Sequence, residues 1–371
     1  MRVLITNNTF EARAGSEVYA KDVAIGLLRR GHTPIAYSTR LGKVADELRQ
    51  ATVPVVDNLN SVSIPPDIIH GQHHVETMTA LLHFPGVPAV YFCLGWLQWE
   101  EKPPRFPRIK HYVAVDETCR DRLVLQEGIP AQQVSIIGNS IDLNRFKTRP
   151  PLPEKPRRAL VYSNYAGEDF RLGAIRAACA QFGINVDVVG LQNGNQSVAP
   201  EELLGDYDIV FAKARCAFEA MAIGAAVIVC DCAGVGPMVT TGEFDRLKRM
   251  NFGLRTLRND FDPKIIAGEL ARYDPRDAAE VTRRIRDSSG AEAAIDEMVT
   301  LYETVLAQHR DDNGTEPDAE GRAAADYLSS LNARIRRDQE AIYDSESYRL
   351  GNFLVRTPLG RLIKRYSQGR R

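Results

Sequence analysis

The residues with the clearest chemical potential lie between Phe211 and Asp231, in the run FAKARCAFEAMAIGAAVIVCD. Two cations, Lys213 and Arg215, precede a short helix signal that carries one acid, Glu219, and stops at Gly224. The apolar, β-branched run Ala225 to Cys230 follows at once and reads as a buried parallel strand. Such a joint aims a helix N-terminus at the carboxyl ends of neighbouring strands. Its exposed N–H groups and the helix dipole favour an anion such as a diphosphate. Lys213 and Arg215 would strengthen that field, and Glu219 can accept hydrogen bonds from sugar hydroxyls. The same residues also fit an ordinary crossover helix with a surface acid and two solvated cations.

Other loops carry further candidates. Gly15 stands at a helix entry after the loop that begins at Asn7, where backbone can approach a ligand closely. His70-Gly-Gln-His73-His74 follows a strand signal, and histidine is the usual side chain for proton transfer near neutral pH. Polar loop residues or a helix cap are the competing reading, and no acid or cysteine lies at ligand spacing for a metal. Trp96 and Trp99 share one loop, as an apolar platform for a sugar or lipid-linked acceptor or as a packed lid. Ala233-Gly-Val-Gly236 is short and glycine-rich, and its amides can approach a phosphate.

These loops need a frame, and the hydrophobic pattern supplies one. Strand signals at 2–6, 34–37, 54–56, 67–70, 87–93, 112–115 and 134–137 alternate with helix signals, the pattern of a doubly wound parallel sheet. Residues 144–158, NRFKTRPPLPEKPRR, are proline-rich and charged and read as an extended linker. The alternation restarts at 159–163 and runs to a helix signal ending near Gln308. In such sheets ligands sit beyond the carboxyl ends of the strands, and the cleft between two such domains is the default site.

A chain of 371 residues with 44% hydrophobic and 26% charged residues is expected to form about two soluble domains. A net charge of −1 argues against nucleic acid as the partner of the whole chain. Arg349 to Arg371 nevertheless carries seven cations and no acid, which leaves −8 on the remainder. Its cations alternate with Leu350, Phe353, Leu354, Leu359, Leu362 and Ile363, a pattern suited to an anionic membrane surface, to docking on the protein's own body or to homodimer formation. The six cysteines form no CxxC pair and read as reduced core thiols in a cytoplasmic protein, peripheral at the inner face of the plasma membrane if the tail binds there. No signal region opens the chain, and no run approaches the length of a membrane span.

Two motifs in this order resemble the GT-B glycosyltransferases, most closely family 4, over roughly residues 1–310. Asn139-Ser-Ile-Asp142-Leu-Asn-Arg-Phe146 is similar to the N-G-V-D-x-x-x-F sequence that closes the family's first domain. Phe218-Glu219-Ala220-Met221-Ala222-Ile-Gly224 is similar to its L-E-A-M-A-x-G donor helix. The resemblance implies an α/β GT-B fold, two Rossmann-like doubly wound parallel-sheet domains facing across a cleft. Their expected bounds are 1–145 (acceptor side) and 159–310 (donor side), with a linker at 146–158 and a helical, basic extension at 311–371. It implies a retaining hexosyltransferase-like enzyme that moves sugar from a UDP- or GDP-sugar to a saccharide or lipid-linked acceptor, without a cofactor, in bacterial surface-polysaccharide or glycolipid assembly. Metal independence is expected because no DxD-type pair stands at a strand end.

The family's roles fall on particular residues. Glu219 would bind the donor ribose, and Ala217 and Phe218 would lie under the diphosphate. Gly15, Ser163, Asn164, Arg171, Lys213 and Arg215 would complete the donor side. Trp96, Trp99 and Asn139 are assigned to the acceptor. Three departures stand out. Phe211 replaces the family's first glutamate, Ser163-Asn164 leads to Glu168 and Asp169 where an Arg and a Lys are usual, and Cys93 ends the strand that usually ends in histidine. His73 or His74 would stand in for that histidine. A non-catalytic GT-B module bound to a partner glycosyltransferase, or a GT-B sugar-nucleotide epimerase, is the alternative function.

Overall fold

Two stretches of alternating β-branched runs and amphipathic segments become two separate sheets in the computed structural model, which describes residues 1–164, 172–190, 192–195, 197, 199–311 and 318–356. The first sheet contains β1 (Arg2–Thr6), β2 (Thr33–Tyr37), β3 (Val55–Val56), β4 (Ile68–Gly71), β5 (Ala89–Cys93), β6 (Ile109–Ala114) and β7 (Val134–Ile136). Their order is β3-β2-β1-β4-β5-β6-β7, with every pairing parallel. The crossovers carry α1 (Gly15–Arg29), α2 (Lys43–Gln50), α3 (His74–His83) and α4 (Glu117–Asp121). Every residue of β4 and β5 is buried, which is why the apolar run of β5 does not alternate with polar residues.

The second sheet contains β8 (Arg158–Tyr162), β9 (Asn185–Val189), β10 (Ile209–Ala212), β11 (Ala226–Asp231) and β12 (Gly234–Met238), in the order β12-β11-β10-β8-β9. Four strands are parallel, and β12 runs antiparallel on the edge beside β11. Around it stand α5 (Leu172–Ala180), α6 (Pro200–Leu203), α7 (Ala214–Ile223), α8 (Phe244–Arg249), α9 (Pro263–Leu270) and α10 (Pro275–Ser288). The glycine-rich run at 233–236 is therefore the turn into an edge strand and not a phosphate loop. A Cβ on Gly234 or Gly236 would come within 2.7 or 2.6 Å of the Asn259 or Thr256 carbonyl oxygen, so these glycines admit a neighbouring chain segment.

Helix α11 (Ala291–Asp311) crosses the expected domain boundary. The sequence places it with the second sheet, yet Ile295, Met298, Tyr302 and Val305 are buried in the core of the first. The buried His70 makes the join: its ring stacks on Phe92 at 3.8 Å, and Nδ1 lies 2.5 Å from the Tyr302 hydroxyl. Burial pushes its pKa down to about 3, so it is a neutral core residue. The described residues form two compact units. One holds both sheets, and the other contains Pro104–Pro107 with α12 (Ala319–Asp344) and α13 (Glu346–Arg356). Among the described residues no helix is long and apolar enough to cross a membrane.

Candidate active site

Doubly wound sheets open a crevice where the strand order reverses, because the crossovers on either side leave in opposite directions. In the first sheet the reversal lies between β1 and β4, and in the second between β8 and β10. The residues just beyond these four strand ends include Asn8, His73, Ser163 and Lys213, and all four line one cleft of about 540 Å³. A second cavity, of about 450 Å³, shares Val115, Asn139 and Asn251 with it but contains neither switch point. Asn139 Nδ2 donates to Asn251 Oδ1 at 2.8 Å between the two cavities, so Asn139 pins the halves together rather than standing open on one side.

On the second half, α7 opens at the cleft. Lys213, Ala214, Arg215 and Cys216 line it, and the Ala214 N–H donates to Phe252 O. Ala217 and Phe218 are one turn too deep for the place under a diphosphate that the sequence assigns to them. Both are in the hydrophobic core, where Phe218 meets Phe252 edge-on at 5.1 Å. The helix closes at Gly224, whose φ of 113° satisfies the left-handed C-terminal geometry.

The two cations beside α7 are not solvated. Lys213 Nζ pairs with the fully buried Asp231, whose other oxygen accepts from Ser163 Oγ at 3.1 Å. Arg215 bridges the halves, pairing with Asp22 of α1 and with Glu219 Oε1 at 2.9 Å. Burial works against its charge, but Asp22 and Glu219 outweigh it and hold the guanidinium protonated. Glu219 is buried, and its Oε2 accepts from the Tyr162 hydroxyl at 3.2 Å. It sits behind Arg215 and Tyr162, which reach the cleft themselves. Phe211 is fully buried in the core of the second sheet. Ser163 and Asn164 line the cleft, whereas Arg171 falls outside the described residues.

On the first half, Gly15 opens α1 at the cleft wall, followed by Ser16, Glu17 and Tyr19. His73 faces the cleft and His74 does not lie beside it in function: the His74 ring packs edge-on against Trp99 at 4.3 Å. The separation of these two neighbours comes from the backbone, since His73 has φ 57° and α3 begins at the next residue. Trp96 lines the cleft beneath the Arg255 guanidinium, 5.5 Å from the ring centre, while Trp99 buttresses His74. Of the acceptor residues expected from sequence, Trp96 and Asn139 thus reach the cleft.

The least legible member is Glu101. Cys93 ends β5 buried, and Glu101 folds back over that strand end, Oε2 accepting from the Leu94 N–H at 3.0 Å. Oε1 lies 3.7 Å from His73 Nε2. Burial pushes the Glu101 carboxyl up to about 7, against the Leu94 N–H and Arg122, which favour its charge. His73 and His74 are both pushed down to about 4 by burial, so both are neutral at pH 7. His73, Ala214 and Asn251 share a further property. Each is a non-glycine residue at positive φ, and together with Phe252 they account for four of the five such residues among those described. Strained backbone of this kind concentrates where a site must hold an unusual geometry.

Among the described residues no group of three His, Cys, Asp or Glu side chains is arranged to hold a metal ion. The cysteines are unpaired; Cys93, Cys119, Cys179 and Cys230 are core thiols as expected, Cys216 is half-buried and Cys232 is exposed.

The Glycosyltransferase Family 4 profile matches residues 13–145. No curated protein sequence matches the chain. Solved structures of the same fold include a glycosyltransferase from Rickettsia africae ESF-5, at 14% identity over 84% of this chain and 99% of that one, with a TM-score of 0.55. They also include Alr3699/HepE from Anabaena in complex with UDP and glucose, at 14% identity over 81% and 99%, TM-score 0.58. Sucrose-phosphate synthase from Thermosynechococcus elongatus is a third, at 13% identity over 83% and 99%, TM-score 0.57. At these identities the likeness is one of fold. The architecture is that of GT-B glycosyltransferases, and the profile agrees with the family-4 resemblance carried by the motifs.

Proposed function

We propose that this chain, with its GT-B fold and its family-4 match over residues 13–145, transfers a sugar from a nucleoside-diphosphate sugar to a saccharide or lipid-linked acceptor in the cleft. The observation that carries the reading is the meeting of the two sheets' switch points across one cleft, with the start of α7 on the second wall. UDP-sugars are the first donors to try, since Anabaena HepE is seen with UDP and with UDP-glucose; GDP-sugars are the second. The leaving diphosphate would sit at the Lys213–Cys216 turn, where the positive end of the helix dipole opposes its charge without reorganising. Glu219 would hold the ribose after donor entry separates it from Arg215. The cleft would contribute mainly by holding both substrates and stabilising charge in an oxocarbenium-like transition state.

Retention of configuration and metal independence are the finer reading that the family resemblance supports. The acceptor side is the sheet of residues 1–145 and the donor side that of 159–310, with α11 returning to the first. We further place the enzyme in bacterial surface-polysaccharide or glycolipid assembly. There the exposed Tyr348, Leu350, Phe353 and Leu354 of α13, with the cations of Arg349–Arg371, would rest on the cytoplasmic face of an anionic membrane. Of that tail, residues 357–371 lie outside those described.

One observation favours a second reading, a non-catalytic GT-B module bound to a partner glycosyltransferase: both cations at the donor wall are already neutralised by Asp231, Asp22 and Glu219. A donor screen separates the two. The protein is incubated with UDP- and GDP-sugars and a panel of saccharide acceptors, and products are read by mass spectrometry. The transferase reading expects a glycosylated product and free nucleoside diphosphate from at least one donor, lost in Glu219→Ala. Nucleotide binding without product from any donor would favour the non-catalytic module.

A further inference from the structure

The first wall of the cleft holds two buried polar groups with no partner in the protein, beside a histidine and a carboxyl held just beyond hydrogen-bond distance of each other. The Tyr19 hydroxyl is buried with no hydrogen-bond partner, and so is Asn8 Oδ1; Tyr19 is 7% exposed and both residues line the cleft. His73 Nδ1 accepts from the Asn8 N–H at 3.2 Å, which leaves the proton of the neutral ring on Nε2. That Nε2 is 3.7 Å from Glu101 Oε1, too far for a direct hydrogen bond and close enough for a hydroxyl to bridge. Buried polar groups are nearly always satisfied, and two left open on a cleft wall, Asn8 Oδ1 and the Tyr19 hydroxyl, call for an occupant.

We infer that Asn8, Tyr19, His73 and Glu101 form a subsite for the hydroxyls of an uncharged sugar ring. The complement is specific: Tyr19 O–H and His73 Nε2–H donate, and Asn8 Oδ1 and Glu101 Oε1 accept. Adjacent ring hydroxyls, each donor and acceptor at once, match such an alternating set. The same wall selects against anions. Glu17, Glu100, Glu101 and Asp116 all line the cleft near the subsite. Arg122, whose charge favours the Glu101 carboxylate, has its guanidinium engaged by the Gly95 and Gln98 carbonyl oxygens. A uronate or a phosphorylated sugar would meet these carboxylates, while the cleft cations Lys213 and Arg215 stand on the opposite wall, paired with Asp231, Asp22 and Glu219. The inference deepens the transferase reading, naming its acceptor as a neutral saccharide, and rests on it for the word acceptor; binding itself does not need a donor.

Saturation-transfer NMR at pH 7.5 tests it on the full chain, with methyl β-D-glucopyranoside as the neutral probe and methyl β-D-glucuronide as its charged counterpart. UDP affinity is measured separately by calorimetry. The neutral glycoside is expected to bind at least about tenfold more tightly than the glucuronide. Tyr19→Phe and Glu101→Gln should each weaken the neutral glycoside about fivefold, the effect of one lost hydrogen bond. Glu101→Gln should also narrow the gap between the two probes, and UDP binding should change less than twofold in both variants. Equal binding of the two probes, unchanged binding in both variants, or no glycoside binding while UDP binds would overturn the subsite. Glycoside binding that follows the expected pattern without UDP binding would leave the subsite standing and remove the donor reading instead.

Discussion

Replacing Glu101 by Gln should stabilise the first half of the chain, and by an amount that depends on pH. A carboxyl whose folded pKa is about 7 against an ordinary value of 4.5 binds a proton more readily folded than unfolded. Its contribution is therefore least unfavourable below pH 4.5 and grows more destabilising as pH rises through that window to the folded value. With these two pKa values the wild type should lose about 0.2 kcal/mol to this group at pH 4, about 2 at pH 6 and about 3 at pH 8. Glutamine removes the titration and keeps an oxygen for the Leu94 N–H. The buried histidines work in the other direction. His70, His73 and His74, with folded pKa values of about 3, 4 and 4 against 6.5, contribute stability above pH 6.5 that is lost as pH falls towards 4. They are common to both proteins and cancel in the difference. Guanidinium unfolding followed by tryptophan fluorescence is the assay, because both tryptophans, Trp96 and Trp99, share a loop with Glu101. Glu101→Gln should match the wild type near pH 4 and exceed it by about 3 kcal/mol at pH 8. A difference that is flat in pH, or that favours the wild type at pH 8, would refute the buried-acid account.

The ion pairs at the donor wall give further outcomes. Lys213→Met leaves the fully buried Asp231 uncompensated and should cost about 3 kcal/mol of stability, largely restored by adding Asp231→Asn; no restoration in that double variant would show the pair is not the cause. Asp22→Asn frees Arg215 from a partner that is about a third exposed, so UDP should bind about two- to fivefold more tightly in calorimetry, and weaker binding would mean that Asp22 helps hold the site together. For the tail, the full chain should co-sediment with phosphatidylserine vesicles at low salt and release at high salt, while a chain ending at Arg310 should remain in the supernatant. Equal sedimentation would remove the membrane role.

How far the sequence reaches depends on the range of the interaction that sets each feature. The strands and crossover helices are legible because their hydrophobic period is local: β5 and the Ala226–Cys230 part of β11 are continuous apolar runs, and the Gly224 stop is visible in the residue itself. The Lys213–Asp231 stretch is found for the same reason. What the pattern does not carry is the partner of each charge. Arg215 looks like a free cation in sequence, but Asp22, which neutralises it, is 193 residues away in the chain. Ala217 and Phe218 are placed under a diphosphate by analogy, and the actual first turn at the cleft begins with Lys213 because α7 opens at Ala214. His73 and His74 are indistinguishable as neighbours; the positive φ of His73 alone sends one ring to the cleft and the other to Trp99. Glu101 gives no signal, since an acid in a loop is ordinarily solvated, and only the fold-back onto the Leu94 N–H buries it. The return of α11 to the first core depends on a crossing of the chain that no local period encodes.

The central claim is that the α7 start receives a diphosphate. Calorimetric titration of the full chain with UDP and with uridine tests it most directly, repeated in Cys216→Asp, which puts a carboxylate into the helix's first turn at the cleft. The account predicts that UDP binds at least about tenfold more tightly than uridine and that Cys216→Asp removes this advantage. Equal affinity for the two ligands, or no UDP binding at millimolar concentration in the folded wild-type protein, would contradict it.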